Sequence, residues 1–596
     1  MSRRRPPTQT GSRRPPRSMS PAMKAHLWRE GILPSIAPLG ARCLGSAPSR
    51  ERAFRCVWRA RCPPSRGASL VVGLMFCLAG CSGDSDHRPQ ETIDAAAATI
   101  SDSAEPMYGG HLRVGYVLEP TSLDAVLGRS GGDAYYWRQI YDQLVDINHS
   151  LEPRLSRSLA TSWEISEDPD SITFHLRQGV VFHDGTPFNA EAVKFNVERI
   201  LDPKTMATPR ASMTVIESVD ALDEHTVRFN LLRPWGAGIN MLADRGGVMN
   251  SPAEVLALGA DYGWKPSGTG PFRVNKVITG TMVNLIRNED YWAKDDAGRP
   301  LPYLDEVTIR VIRDETVLAS ALRTGEIDVA YLPYKDVAAF RRDPRFSIET
   351  MDGSGVALLL AFNVGHELVS DVNLRLAISH AIDPHVINRA IYFDKVMVAD
   401  SGMWPVGAWA HDPDVPRPTF DADKARQYLA LGGRPDGFEL TTVVNNTPVN
   451  ILAAEVIRAM LKKIGVTLNI EVMAVGVAGE SFFNAGRFPL YLTGWSRYPE
   501  PDWIASLAFK SDGFYNAANL PRPDVDALVE QGASFYDQSD RLRAYRQLNA
   551  LVLREAWFVP LLYATSYAAA PRRVGNLDRL MGWDAKMNLR EIWIAQ

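Results

Sequence analysis

From Tyr108 onward the sequence switches repeatedly between a two-residue and a 3.6-residue apolar period, and this alternation constrains the fold more than any other feature. "GGHLRVGYVLEPTSLDA" sets Leu112, Val114 and Tyr116 on alternate positions and breaks at Glu119-Pro120, which predicts a strand. "AYYWRQIYDQLVDI" places Trp137, Ile140, Tyr141 and Leu144 on one face of a predicted helix. "SITFHLRQGVVFHDGTPF" reads as strand, Gly turn, short strand and tight Asp-Gly turn. "NAEAVKFNVERIL" then reads as a helix capped by Asn189, with Val193, Val197, Ile200 and Leu201 as its apolar face. The same grammar continues. "DEVTIRVI" predicts a strand, and "DETVLASALRTGEIDVAYL" a helix stopped by Gly325 and then a strand. "VALLLAFNV" predicts a buried strand, and "DVNLRLAISHAID" a helix ending before Pro384. "NILAAEVIRAMLKKIGVTLNIEVM" predicts a helix, a Gly465 cap and a strand, and "RLRAYRQLNALVLREAWFVPLLY" a long helix running into an apolar strand. No repeat of about 20–50 residues is present. A chain of 596 residues with this texture is a large α/β protein with room for two or more domains.

Charge and cysteine content divide the chain at one place. Residues 1–80 hold 15 Lys and Arg against Glu30 and Glu51, so of the 65 basic and 69 acidic residues in all, 50 and 67 fall beyond them. The body is therefore acidic, which argues against nucleic acid as a partner, because phosphate binding needs clustered Lys and Arg. All five cysteines (Cys43, Cys56, Cys62, Cys77 and Cys81) lie at or before position 81. The body has no thiol for a disulfide, a thiolate metal site or a nucleophile.

The boundary itself is "LMFCLAGCSGDSD", residues 74–86. The uncharged run Gly67–Gly80 spans roughly 21 Å as a helix, short of the ~30 Å hydrocarbon core. It fits the apolar region of a signal peptide, with Arg59, Arg61 and Arg66 as its positive flank. Leu78-Ala79-Gly80-Cys81 resembles a bacterial lipobox, which implies cleavage before Cys81 and lipidation of its thiol. The polar stretch after it suits a flexible tether over 81–107. Residues 1–56 are Arg/Pro/Ser-rich and aperiodic, and a start at Val57 would leave a signal of ordinary length.

Several blocks of the body resemble the family 5 extracellular solute-binding proteins of ABC importers, the peptide, nickel and opine binding group. They are "LEPTSLDA" (118–125), "LATSWEISEDPDSITFHLRQGVVFHDGTPFNAEAVKFNVERI" (159–200), "GTGPFRV" (268–274) and "IRNEDYW" (286–292). Further along come "ALRTGEIDVAYLP" (321–333), "LRLAISHAIDPHVI" (374–387), "AAEVIRAMLKKIGV" (453–466) and "TGWSRYPEPDW" (493–503). The resemblance implies an α/β, two-lobed periplasmic-binding-protein-like clamp of type II, cluster C-like, with an extra subdomain in lobe one. Lobe one would comprise 108–355 with 562–596 returning to it, and lobe two 356–561, joined by crossings near 354–364 and 558–570. The implied partners are a small organic solute or short peptide and ABC permease subunits, with a membrane held through lipid on Cys81, no cofactor, and a monomeric receptor in the periplasmic space or cell envelope. A metal–chelate receptor of the nickel type is the alternative within the family.

Catalytic patterns are missing from the sequence: there is no HExxH, no GxSxG elbow and no Walker loop. His183-Asp184 in "FHDGTPF" reads as part of a turn, and "GTGPF" lacks the Lys-Ser/Thr of a phosphate loop. His366-Glu367, His380 and His385 lack zinc-site spacing with a third ligand. In peptide-binding relatives the Trp of the "TGWSRYPEPDW" block lines the pocket, and an Asp three positions later meets the peptide ammonium. Trp495 matches that Trp, but position 498 is Tyr, and Arg497 precedes it. Either a small shift brings in Glu500 or Asp502, or no ammonium is anchored by this block. Arg497 could instead take a carboxylate or phosphate as a two-pronged donor. By family location, Asp133 and Tyr135 of "GRSGGDAYYW", Arg245 of "ADRGGVMNSP" and Trp404 of "SGMWPVGAW" are further ligand-binding candidates.

Overall fold

The structure is a computed structural model that describes residues 105–595 apart from 514, 518 and 519. The basic extension, the signal, Cys81 and residues 81–104 of the expected tether lie outside the described residues. The backbone of the fold is a pair of long antiparallel strands, Phe346–Phe362 and Phe558–Pro571, registered from Phe346 opposite Pro571 to Ala361 opposite Phe558. The stretches at 354–364 and 558–570 that were expected to cross between lobes fall largely within them. On one side of the pair run Leu490–Ser496, Glu439–Asn445 and Thr467–Met473; on the other, Val329–Tyr331, His111–Tyr116, Glu306–Val311, Met282–Arg287 and Phe272–Ile278. The pair thus lies between two groups of strands in one sheet. A separate four-stranded antiparallel sheet, ordered Ala160–Ile165, Ser171–Leu176, Thr226–Leu231 and Ile216–Asp223, carries the second block of the resemblance.

Apolar burial follows the same division. Leu112, Val114, Ile309 and Val329 pack with Leu580, Met587 and Ile592 in one core, while Leu358, Leu360, Ile378, Ile457 and Leu492 form another. The register of the long pair breaks three times between Asp352 and Leu359. There Gly353 adopts φ 66°, and a Cβ on it would meet the Val406 carbonyl oxygen at 2.0 Å. Only glycine fits that approach, so the break in the ladder is built into the sequence.

Local signals act as their chemistry requires. Asn189 accepts from the Ala192 amide to cap Ala190–Leu201, and Gly325 stops Glu315–Thr324 in the left-handed region at φ 74°. In "FHDGTPF" Gly185 turns at φ 84° and Asp184 Oδ1 accepts from the Thr186 amide at 2.9 Å. His183 is held between Gly268 and Gly270, and burial lowers its pKa to about 4. It is a neutral part of the scaffold. The helix predicted over 134–147 is corrected to one turn, Ala134–Trp137, after which the chain runs irregularly. Trp137, Ile140, Tyr141 and Leu144 are all fully buried regardless, because they are packed from several sides and not along one helical face.

Candidate functional site

Between the two sides of the long strand pair lies a cavity of ≈ 180 Å³. One wall comes from the loop Gly128–Ala134, from Asp244 and Arg245, and from Trp583–Lys586; the facing wall is Ser496–Tyr498 with Trp503 and Tyr515. Tyr498 lies flat on Trp503, ring centroids 4.6 Å apart and planes 14° apart, giving the site an aromatic face.

Arg497 leaves the end of strand Leu490–Ser496 and enters this cavity. Its Nη2 donates to the carbonyl of Gly407 and, at 3.2 Å, to that of His149. Its buried Nε has no partner, and among the described residues no carboxylate lies within ion-pair distance of it. Burial pulls its pKa down to about 10, with Asp584 opposing, so the guanidinium is charged at neutral pH and under-satisfied.

Two further charges face the cavity. The Lys586 ammonium has no hydrogen bond or ion pair among the described residues and sits 5.8 Å from the Tyr135 ring. Burial lowers its pKa, while Asp584 works to raise it. The Asp244 carboxylate has no ion pair among the described residues and is reached by the Arg245 backbone amide. Burial raises its pKa, with Arg245 and Arg138 opposing. By contrast Asp584 is committed: it accepts from Arg138 Nη2 at 3.0 Å and from the Lys586 amide at 3.1 Å. The cavity therefore holds one anion without an ion-pair partner and two cations with spare donors. An occupant with the opposite arrangement of charge would satisfy them.

The candidates named from sequence separate into three groups. Arg497, Tyr498 and Arg245 line the cavity. Arg245 is mainly a strut, donating to the carbonyls of Ala125, Gly128 and Ser130 at 2.7, 2.9 and 2.5 Å and lying 3.6 Å from Asp133. Asp133 and Tyr135 sit behind the wall. Fully buried Asp133 accepts from the Thr121 amide and hydroxyl, both at 2.7 Å, and from the Ser130 amide at 2.9 Å. Tyr135 stacks on Tyr116 at 4.0 Å. Trp495 and Trp404 are packed elsewhere: Trp495 between Tyr515 and Phe558, and buried Trp404 against Tyr545 with its indole donating to the Pro501 carbonyl at 3.4 Å.

Glu500 and Asp502 have partners of their own outside the cavity. Glu500 is fully buried and ion-paired with Arg541, and Asp502 accepts from the Ser506 hydroxyl at 3.0 Å. Neither lines the cavity. Asp244 and Asp584 are the carboxylates that do. Sequence reasoning named its neighbour Arg245 and passed over Asp244, Asp584 and Lys586, which carry no periodic or motif signal.

The sequence profile described as bacterial extracellular solute-binding proteins, family 5 middle, matches residues 154–516. The chain belongs to this family, whose members are the two-lobed solute-capturing components of ABC importers. It is 29% identical over 425 residues to the glutathione-binding protein GsiB of Escherichia coli O157:H7, covering 69% of this chain and 81% of that protein. Among solved structures it is similar to the periplasmic binding protein DppA of Helicobacter pylori in complex with the peptide STSA. The TM-score is 0.72 and the identity 26%, over 82% of this chain and all but 1% of the other, whose coverage is 99%. The binding protein AgaA in complex with agropinic acid, from A. tumefaciens R10, gives the same TM-score of 0.72, with 26% identity, 82% of this chain and 99% of that one.

Proposed function

We propose that this receptor captures a small solute bearing both a cationic and an anionic group, a short peptide or a peptide- or opine-like acid, and hands it to an ABC permease without chemical change. The observation that carries the reading is the pairing around one cavity of Asp244, which has no ion-pair partner, with Lys586 and with Arg497, whose Nε has no hydrogen-bond partner. A solute ammonium would meet Asp244, and a carboxylate would meet Arg497 and Lys586; each contact adds a charge-assisted hydrogen bond to a group with capacity to spare. The volume of ≈ 180 Å³ lies below the ~300–1,000 Å³ of drug-sized sites, which in this conformation favours a compact occupant. Relatives that bind a peptide or agropinic acid support that chemistry.

The experiment is native mass spectrometry of the purified protein for co-purified ligand, followed by calorimetric titration of alanyl-alanine against the wild type and Asp244→Asn. The substitution keeps shape and removes the anion, so zwitterion affinity falls by about tenfold or more. Unchanged affinity would remove Asp244 from the site. Titration with Ni²⁺, with and without histidine as chelator, separates the metal–chelate alternative. Lipidation of Cys81 belongs to the same reading, as the anchor that holds the receptor at the membrane.

A further inference from the structure

Behind the wall formed by Trp583 lies a second chamber of ≈ 80 Å³, lined among others by Arg138, Arg154, Arg579 and Arg590, with Asp146 and Glu591. Four guanidinium groups around so small a space demand an accounting of their N–H donors. Arg590 is 5% exposed, and neither its Nε nor its Nη1 has a hydrogen-bond partner. Asp142 and Asp146 stand 3.7 and 3.6 Å from it, too far to accept well.

Asp142 and Glu591 are occupied by other donors, and Asp146 has one oxygen on a backbone amide. Asp142 takes the Tyr291 hydroxyl at 3.0 Å, the Trp292 indole at 2.8 Å and the Thr269 hydroxyl at 3.2 Å. Asp146 accepts from the Ile147 amide at 2.9 Å, and Glu591 from Arg157 at 2.8 Å. Arg138 spends one nitrogen on Asp584 and leaves its buried Nε without a partner. Half-buried Arg154 has no hydrogen bond or ion pair through its side chain among the described residues. Arg579, whose side chain is 44% exposed, pairs loosely with Asp296 and Glu591 at 3.4 and 3.5 Å and lies beside exposed His149, where the chamber meets solvent.

We propose that this chamber is a second binding site, for a compact oxyanion such as a carboxylate or a phosphate. An oxyanion offers several lone pairs to planar donors, and it would satisfy the Arg590, Arg138 and Arg154 edges together, which the neighbouring carboxylates do not. The chamber adjoins the solute cavity: Trp583 lines both, and the His149 carbonyl accepts from Arg497 at 3.2 Å. The oxyanion could therefore be a free ion or a second acid group on the solute. Only the second source rests on the function proposed above.

The test titrates inorganic phosphate into the full-length protein by calorimetry, for the wild type, Arg154→Gln and Arg590→Lys. Arg154→Gln removes no contact on which the fold depends, and Arg590→Lys keeps the charge while losing the fork. Saturable phosphate binding that weakens about tenfold or more in Arg154→Gln, with alanyl-alanine binding unchanged, supports the site. No saturable binding, or binding indifferent to both substitutions, overturns it. Competition by phosphate against alanyl-glutamate but not alanyl-alanine assigns the anion to the solute; competition against neither, with phosphate still bound, assigns a free ion. Loss of alanyl-alanine binding in the wild type would count against the solute reading alone.

Discussion

A guanidinium buried in a cavity has an energetic cost that its surroundings must offset, and Arg497 is only partly served by the two backbone carbonyls it reaches. Arg497→Ala is expected to weaken binding of an acidic solute by more than tenfold, about 1.4 kcal/mol or more, as read by calorimetry. Arg497→Lys separates charge from geometry: it keeps the cation but cannot reach Gly407, His149 and a ligand together. The residues that sequence reasoning brought to the cavity are those placed by a family block, Arg497 and Tyr498 above all. Asp244 stayed hidden because a single Asp before an Arg in a Gly-rich turn looks like any solvated turn. Trp583–Lys586 stayed hidden because they follow the last matching block and form a tight turn closed by the Met581–Met587 bridge. Trp404 and Trp495, named as ligand contacts from the resemblance, do not line this cavity and pack against Tyr545, Tyr515 and Phe558.

Elements were legible where the signal was local. The cap at Asn189 and the left-handed glycines at Gly325 and Gly465 fix helix ends through backbone hydrogen bonds that neighbouring residues alone determine. The stretch after Trp137 misled because complete burial imitates a helical stripe when several elements converge on it. One contact between elements has a pH signature. Glu500, at the start of Pro501–Ile504, meets Arg541 of Gln538–Arg554, and burial outweighs that partner to push the Glu500 pKa from 4.5 up to about 7. The folded chain therefore holds this proton more tightly than the unfolded chain. Its stabilising contribution is full below pH 4.5 and is lost as pH rises through about 7. Glu500→Gln, which cannot ionise, should flatten the fall in unfolding free energy across that window, measured by denaturant titration at a series of pH values. An unchanged slope would place the titration elsewhere.

At the scale of the whole molecule, the order of blocks along the chain led to the two-lobed fold, whereas the extent of the long strand pair emerged only from the coordinates. "VALLLAFNV" showed the apolar end of Phe346–Phe362, but the first half of that strand is polar and half-buried, so its pattern is weak. The proposed lipid anchor at Cys81 belongs to this scale as well. Cys81→Ser should move the receptor from the membrane fraction to the soluble fraction and abolish labelling by a fatty-acid analogue, and retention on membranes would exclude the thioether anchor. The solute cavity is assembled from Gly128–Ala134, Asp244, Arg497 and Lys586, positions spread across nearly the whole described chain. Synthesis must run past Lys586 before the full set of charges exists in one molecule. A nascent chain therefore lacks the complete cavity, and one clipped before Lys586 would also lose Met587 and Ile592 from the core they share with Leu112 and Ile309.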